Sequence, residues 1–419
     1  ENNQCALVER NSSVRLSGRL QEKRFEKQEI KMVREKPLKG LRVADFSMVY
    51  AGPICARMLS DNGADVIKIE PLGIGDTIRA NNRIFSHFNA GKKSIQIDLG
   101  KMQGQEIALK IIEQSDILIE NYRPGVMTRF GLDYETLKKL HPKLIYCSIS
   151  GFGQTGPDSQ RAAYAPIAHA ASGYDVSHMR AQLDDNPRPQ ASGIMIADML
   201  TGAYAYGAIQ TALLGQLKSG AGDFIDVTML ESSMMLIPSQ QQSAQRVDPP
   251  RIGGFQPIVT KDGYLMICIV SDKNLQGLCE AIKRPDILED ERFTRGKRLL
   301  NMKEFIREVE LWSSQLPLVE CEKTLNSHGV PYSRYRPPEE LFEDPQLMHR
   351  GAFQKMEDED GDYWIQNPPF QFNSFSNSTS PSYPKAGEHT DEILEQSLHY
   401  NKPEIAQLHK DQIIGSAQK

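Results

Sequence analysis

From about residue 38 onward, short apolar runs alternate with amphipathic stretches. "LRVADF" predicts a strand. "GPICARMLSDNG" predicts a helix, with Pro53 in its first turn and Gly63 at its end, the usual asymmetry of helix termini. "ADVIKIE" predicts the next strand. The alternation continues through "SIQIDL" (strand), "GQEIALKIIEQS" (helix), "DILIEN" (strand), "YETLKKLHP" (helix) and "LIYCSIS" (strand). Strand–helix–strand units with apolar strands predict a parallel sheet covered on both faces. Right-handed crossovers make that sheet an α/β, doubly wound, Rossmann-like one.

After about residue 225 the pattern changes. "DFIDVTMLESSMMLI" reads as a strand then a helix, and "QRVDPPRIGGFQP" as a linker. "PIVTKDGYLMICIV" predicts a hairpin turning at Asp262-Gly263, and amphipathic helices follow to about residue 330. This predicts a second, smaller α+β domain. Loop-rich text returns at "HGVPYSRYRPPEELFEDPQL", followed by "YWIQNPPFQF" and a last helix, "NKPEIAQLHKDQII". Residues 1–37 read as a charged extension. They have no apolar core for a secretory signal, and Glu22, Glu26, Glu29 and Glu35 count against a transit peptide.

Composition narrows the function classes. The 419 residues are 39% hydrophobic and 25% charged, as in an ordinary globular protein. The net charge of -5 argues against a nucleic-acid partner but leaves room for one small polyanion on a local basic patch. No apolar run reaches the roughly 18 residues a membrane span needs. The six cysteines are scattered without a C-x-x-C pair, so no metal site is expected. They read as reduced core residues in a cytosolic or organellar compartment.

The first crossover invites a nicotinamide-cofactor reading, with Glu70 where a ribose-binding acid would sit. Its turn, "MVYAGPICA", lacks G-x-G-x-x-G, and Pro53 removes an amide that could face a pyrophosphate. No P-loop, H-E-x-x-H or G-x-S-x-G is present. "ENYRPGVMTRFG" follows a predicted parallel strand, where doubly wound sheets bind ligands. Asn121 and Tyr122 suit a purine or an amide, and Arg129 a phosphate; the plain alternative is a Pro-Gly turn with a solvated Arg. "RIGGFQP" can bring backbone close to a ligand or be a simple linker. Asp198 stands between the apolar "GIMIA" and a small-residue helix, "TGAYAYGA". It reads as an N-cap, worth roughly 1 kcal/mol, or as a nucleophile. His169, in "YAPIAHAASG", reads as a base or as a satisfied core residue.

In order along the chain, eight segments strongly resemble one family. They are "LRVADFSMVYAGPICARMLSDNGADVIKIEPLGIGD", "NAGKKSIQIDL", "ENYRPGVMTRFGL", "LIYCSISGFGQTGP", "ADMLTGAYA", "GDFIDVTMLES", "GGFQP" and "GEHTDEIL". The family is the class III coenzyme A transferases, which includes formyl-CoA transferase and carnitine CoA-transferase. The resemblance implies a large CoA-binding domain built from both ends of the chain, 38–225 with 335–419. Residues 226–334 then hold linkers and the small domain. Two subunits are expected to interlock into a homodimer.

The resemblance puts the nucleophile at Asp198. It puts CoA contacts at Tyr50, Ala51 and Ile97, adenine and phosphate contacts at Asn121, Tyr122 and Arg129, and the oxyanion loop at Gly253 and Gly254. Gln256 and His169 fall on the acyl-substrate side. Three positions depart from relatives. Tyr50 stands where formyl-CoA transferase has Gln, and Phe255 replaces a Gly. Ala165 stands where many relatives carry Asp or Glu; the racemase branch has a His-Asp pair at the positions of Tyr164 and Ala165, which weighs against two-base proton exchange.

The implied function is transfer of CoA from an acyl-CoA to a free carboxylic acid, small or dicarboxylic, through an aspartyl anhydride and an aspartyl-CoA thioester on Asp198. CoA and acyl-CoA are then substrates, with no permanently bound cofactor and no metal. A cytoplasmic location is expected, or a mitochondrial one in a eukaryote. The alternatives on this fold are an acyl-CoA racemase or isomerase and a silent acyl-CoA-binding protein. Arg180 and Arg188 can meet the far end of a dicarboxylate or be solvated surface charges.

Overall fold

Six apolar segments form parallel strands in a computed structural model that describes residues 35–182, 188–189, 191–247 and 254–417. They are β1 (Arg42–Asp45), β2 (Asp65–Glu70), β3 (Lys93–Ile97), β4 (Ile117–Glu120), β5 (Ile145–Ser150) and β6 (Phe224–Thr228). The strand order is 3-2-1-4-5-6, the doubly wound order expected from the sequence. Ile414–Gly415 adds a further strand, antiparallel, outside β3, with Ile414 opposite Ile97.

Side-chain alternation sorts the two faces. Val43, Ile117, Ile119, Ile145, Cys147 and Ile149 point into one core, against α1 (Ala51–Asp61). Ala44, Leu118 and Tyr146 point into the other, against α3 (Met102–Glu113) and the helix Lys402–Lys410. Between α1 and α3 lies α2 (Asn82–Asn89), which the sequence reading did not predict. After β4 come a short α4 (Val126–Arg129) and α5 (Tyr134–Leu140). After β5 come α6 (Ala165–Ala171), α7 (Tyr174–Ala181) and the long α8 (Ile196–Ser219).

α8 crosses directly over α1. A Cβ added at Gly202 would lie 2.3 Å from the Ile54 side chain and 2.6 Å from the Ala51 carbonyl oxygen. Gly202 therefore serves a helix–helix contact at backbone range, with Thr201 and Ala205 buried beside it. The opposite side of α8 leaves Tyr204, Leu214 and Leu217 exposed.

The smaller unit has three short antiparallel strands, Ile258–Val259, Tyr264–Ile267 and Tyr332–Arg334. Its hairpin turns at Asp262-Gly263 as expected, with the Thr260 amide donating to the Gly263 carbonyl at 2.9 Å. Helices cover this sheet around Leu265, Leu278, Phe293, Phe305 and Val309. The helix Met229–Met234 packs on α6 and α8, so the larger unit's helical layer runs past residue 225. A second hairpin, Phe353–Asp358 with Gly361–Gln366, leads the chain back to the large sheet. Arg57 of α1 fastens that return: its guanidinium donates to the carbonyls of His87 and Gln366 and to Thr379 Oγ1, and pairs with Asp61. Cys55, Cys147, Cys279 and Cys321 are buried free thiols. Among the described residues no helix is long and apolar enough to cross a membrane.

Candidate active site

Strand order reverses between β1 and β4, the place where open α/β sheets hold ligands beyond the strand carboxyl ends. Two loops meet there. The β1–α1 turn, Phe46 to Tyr50, lies against the loop that leaves β4 at Asn121. The Asn121 amide binds both backbone groups of Met48: Met48 N–H donates to Oδ1 at 2.9 Å, and Nδ2 donates to the Met48 carbonyl at 2.8 Å. Tyr50 then caps α1, with its ring edge-on to Phe88 at 4.7 Å.

Asp198 enters this place from α8. It is the third residue of the helix, not its cap; Met195 occupies the cap position and offers no side-chain bond. The capping is done from elsewhere. The Ala197 amide donates to His169 Nε2 at 2.9 Å, so His169 satisfies one of the orphan amides of the first turn. That frees the Asp198 carboxylate, which faces the amide of Ala51, the first residue of α1, near enough for that N–H to favour its charged form. Two helix N-termini thus converge on one carboxylate, and both favour its negative charge. Burial opposes them and dominates: Asp198 is 7% exposed, and desolvation pushes its pKa up to about 6. Above that pH it is an anion with little water around it, the condition for a carboxylate nucleophile.

Comparison with known proteins places the chain in a family. Residues 38–390 match the family model described as CoA-transferase family III. The chain belongs to CoA-transferase family III. A human succinyl-CoA:glutarate CoA-transferase is 33% identical, aligned over 89% of each chain. An Agrobacterium fabrum succinate–glutarate CoA-transferase is also 33% identical, over 86% of this chain and 96% of its own. Among solved structures, a Mycobacterium tuberculosis protein in an orthorhombic crystal form superposes with a TM-score of 0.77 at 28% identity, covering 85% of this chain and 98% of its own. A CAIB/BAIF family protein of Brucella suis gives 0.72 at 30% identity, covering 86% and 99%. The protein is therefore a CoA-transferase, and its substrates are CoA thioesters.

Other site expectations fall at varied distances from the switch point. Tyr122 and Arg129 lie on the loop after β4 and on α4. Tyr122 is half-buried against the α3-side core, while Arg129 is exposed and has no ion pair among the described residues. A guanidinium with no ion-pair partner is free to meet an anion. Ala51 is fully buried, so what it presents is its amide, directed at Asp198. Ile97 lies on β3, likewise away from solvent. Its side chain is buried in the core beside Ile107 and Ile414, because β3 is covered on that face.

Gly253 lies outside the described residues. Gly254 lies against the end of α7: its amide donates to the Ala181 carbonyl at 3.2 Å, and Gln256 Nε2 donates to the same oxygen at 2.7 Å. The end of α7 leaves that carbonyl without a helical partner, and the loop supplies one. Ala165 is buried in the core beside α8, where a carboxylate would have no counter-charge among the described residues. Among them there is also no group of His, Cys, Asp or Glu side chains able to hold a metal ion.

His169 is neutral here, its pKa held below the ordinary histidine value by burial. Its Nε2 accepts, so the proton sits on Nδ1. Replacing it by Ala leaves the Ala197 amide buried and unsatisfied, an expected loss of about 1–3 kcal/mol. The pH dependence follows. The unfolded chain takes up the proton first, so this stability is present above the ordinary histidine pKa and is lost as pH falls through it. Thermal unfolding at pH 7.5 and pH 5 should therefore show a larger gap between wild type and His169→Ala at the higher pH.

Sequence reasoning missed the buried charges beneath the turn, Asp45, Lys68, Asp76 and Lys92, and singled out Glu70 only as a ribose contact. The signal was there. Lys68 and Glu70 interrupt an apolar strand expected to be covered on both faces, a place where a charge needs a partner.

Proposed function

We propose that this CoA-transferase moves CoA from an acyl-CoA to a free carboxylic acid through covalent intermediates on Asp198. The observation that carries the reading is the Asp198 carboxylate, nearly dry yet aligned by the Ala51 amide and two helix N-termini. An Asp198 oxygen attacks the thioester carbonyl carbon, the C–S bond breaks, and the CoA thiolate leaves, giving a mixed acyl–aspartyl anhydride. The thiolate attacks the aspartyl carbonyl and expels the first acid as its carboxylate. The acceptor carboxylate attacks the resulting aspartyl-CoA thioester, again releasing thiolate. Attack of that thiolate on the acceptor's carbonyl forms the new thioester and restores Asp198. No water and no net proton are consumed. Holding carboxylate and thioester in contact supplies up to roughly 7–11 kcal/mol in favourable cases.

The names of the relatives point to dicarboxylates, with succinyl-CoA as the first donor to try and glutarate as the first acceptor. CoA is held through Tyr50, Asn121, Tyr122 and Arg129. Gly254 and Gln256 reach the acyl end once they release Ala181. The exposed apolar side of α8 supports a homodimer that covers it.

The test is chemical trapping. Protein incubated with succinyl-CoA and quenched with hydroxylamine should carry a hydroxamate on the peptide holding Asp198. The yield should rise with pH about a midpoint near 6, because the anion is the nucleophile. Absence of the adduct with every acyl-CoA in a panel, despite measured CoA binding, would overturn the reading.

A further inference from the structure

The turn that delivers the Ala51 amide is gripped residue by residue from below. The Ser47 carbonyl accepts from Lys68 Nζ at 2.6 Å. The Val49 amide donates to both oxygens of Asp76, each at 3.1 Å. Lys68 and Asp76 pair with each other at 3.0 Å, and both side chains are fully buried. Glu70 fixes Asp76 in turn, accepting from its backbone amide at 2.9 Å. On the neighbouring side Lys92 Nζ pairs with Asp45 at 2.8 Å and donates to the Pro53 carbonyl at 3.0 Å.

Between these holds Val49 has a φ of +71°. For a β-branched residue that is a genuine outlier, and such strain persists only where the surroundings over-determine it. Asp76 is the group bound to the strained residue's amide. A buried ion pair is a poor device for stability alone, since an apolar pair of similar volume often serves a core as well or better. An apolar pair could not hold the Ser47 carbonyl and the Val49 amide.

We propose that Lys68 and Asp76 are positioning residues, which hold the Ser47–Val49 turn in its strained form and so aim the Ala51 amide at Asp198. Their importance for transfer rests on Asp198 being the nucleophile; the positioning itself does not. The groups facing Asp198 are the Ala51 amide and the first turn of α8, with neutral His169 behind it on Ala197. Among the described residues no charged side chain pairs with Asp198.

The test removes both charges together, Lys68→Met with Asp76→Ala, so that no unpaired buried ion remains. The Asp198 carboxyl is titrated in the full-length protein by carbon-13 NMR, with the signal assigned by Asp198→Asn. The wild-type midpoint should lie at about 6. In the double variant the amide is no longer aimed, and the midpoint should rise by about one unit, a tenfold change in the ionisation equilibrium. A folded variant with an unchanged midpoint overturns the proposal, even if its melting temperature falls, because a merely structural pair would lower stability alone. If the double variant does not fold, Lys68→Met with Asp76→Asn, which keeps one acceptor oxygen for Val49 and still leaves no unpaired buried ion, replaces it. A smaller upward shift is then expected, and no shift overturns the proposal. The titration needs no substrate, so the two readings fail separately. A shifted midpoint with no hydroxamate in the wild type removes the transfer mechanism and leaves the positioning role. A wild-type hydroxamate with an unshifted variant does the reverse.

Discussion

Asp198→Asn should abolish CoA transfer and, at neutral pH, raise the melting temperature. The rate loss is expected to be at least about 10⁴-fold, because the amide supplies no nucleophile and, among the described residues, no alternative carboxylate faces the Ala51 amide. The gain in stability has a separate cause. Lifting a carboxylate from its ordinary range to about 6 costs the fold about 3 kcal/mol once the pH exceeds that value. The sign is fixed by which state binds the proton more tightly. Between the ordinary aspartate pKa and 6 the folded protein holds a proton that the unfolded chain has lost, so stability falls as pH rises through that window. A neutral Asn escapes this and can still accept from Ala51. Calorimetry should show the variant more stable than wild type at pH 7.5 and the gap closing towards pH 4. A variant equally stable at both pH values would show that Asp198 is not held against its own charge.

Gly202→Val should be the most damaging single change in the helical layer. At this glycine a first carbon already meets Ile54 at 2.3 Å and the Ala51 carbonyl at 2.6 Å. The Ala51 backbone cannot yield without moving the turn, so α8 must lift away from α1. Overpacking of this kind costs about 1–3 kcal/mol or more. The effect on chemistry should be larger than the effect on stability. A lift of one ångström takes the Asp198 carboxylate off the Ala51 amide, and misplacement on that scale can cost about a hundredfold in rate. Gly296 of the smaller unit, which has open space around it, is the control: Gly296→Ala should leave both activity and melting temperature near wild type. Thermal unfolding and initial transfer rates on the three proteins decide the matter.

Much of the large sheet was legible because its strands and helices carry strong local periods. "DVIKIE" and "GQEIALKIIEQS" state their structure without help from the rest of the chain. The helix Asn82–Asn89 was overlooked, framed by polar text, although Ile84, Phe85 and Phe88 give it an apolar side. The hairpin after residue 352 was also overlooked, though "FQKMEDEDGDYWIQ" alternates around an Asp-Gly turn in which Gly361 takes a φ of +106°. The two-residue strand at Ile414 has no period to read at all.

At the site, the text drew attention to Asp198 but misplaced it on the helix. The cap that displaces it comes from His169, a contact 28 residues away in sequence. The residues beneath the turn were harder still. Lys68 and Asp76 lie next to Ser47 and Val49 only after β2 has paired with β1, a relation that local patterns do not encode.

The strand at Ile414–Gly415 has a bearing on how the protein is made. It covers the outer edge of β3, and Thr390 Oγ1 meets the Gln96 amide across 294 residues of sequence. While a nascent chain emerges from the ribosome, every parallel strand exists long before this last one arrives. Through that interval β3 keeps an open row of amides and carbonyls, a template for any other strand nearby. Contacts so remote in sequence also form slowly. Translation must pass residue 415 before the sheet can close, so synthesis speed and chaperone supply, more than native stability, should govern how much active enzyme a cell recovers.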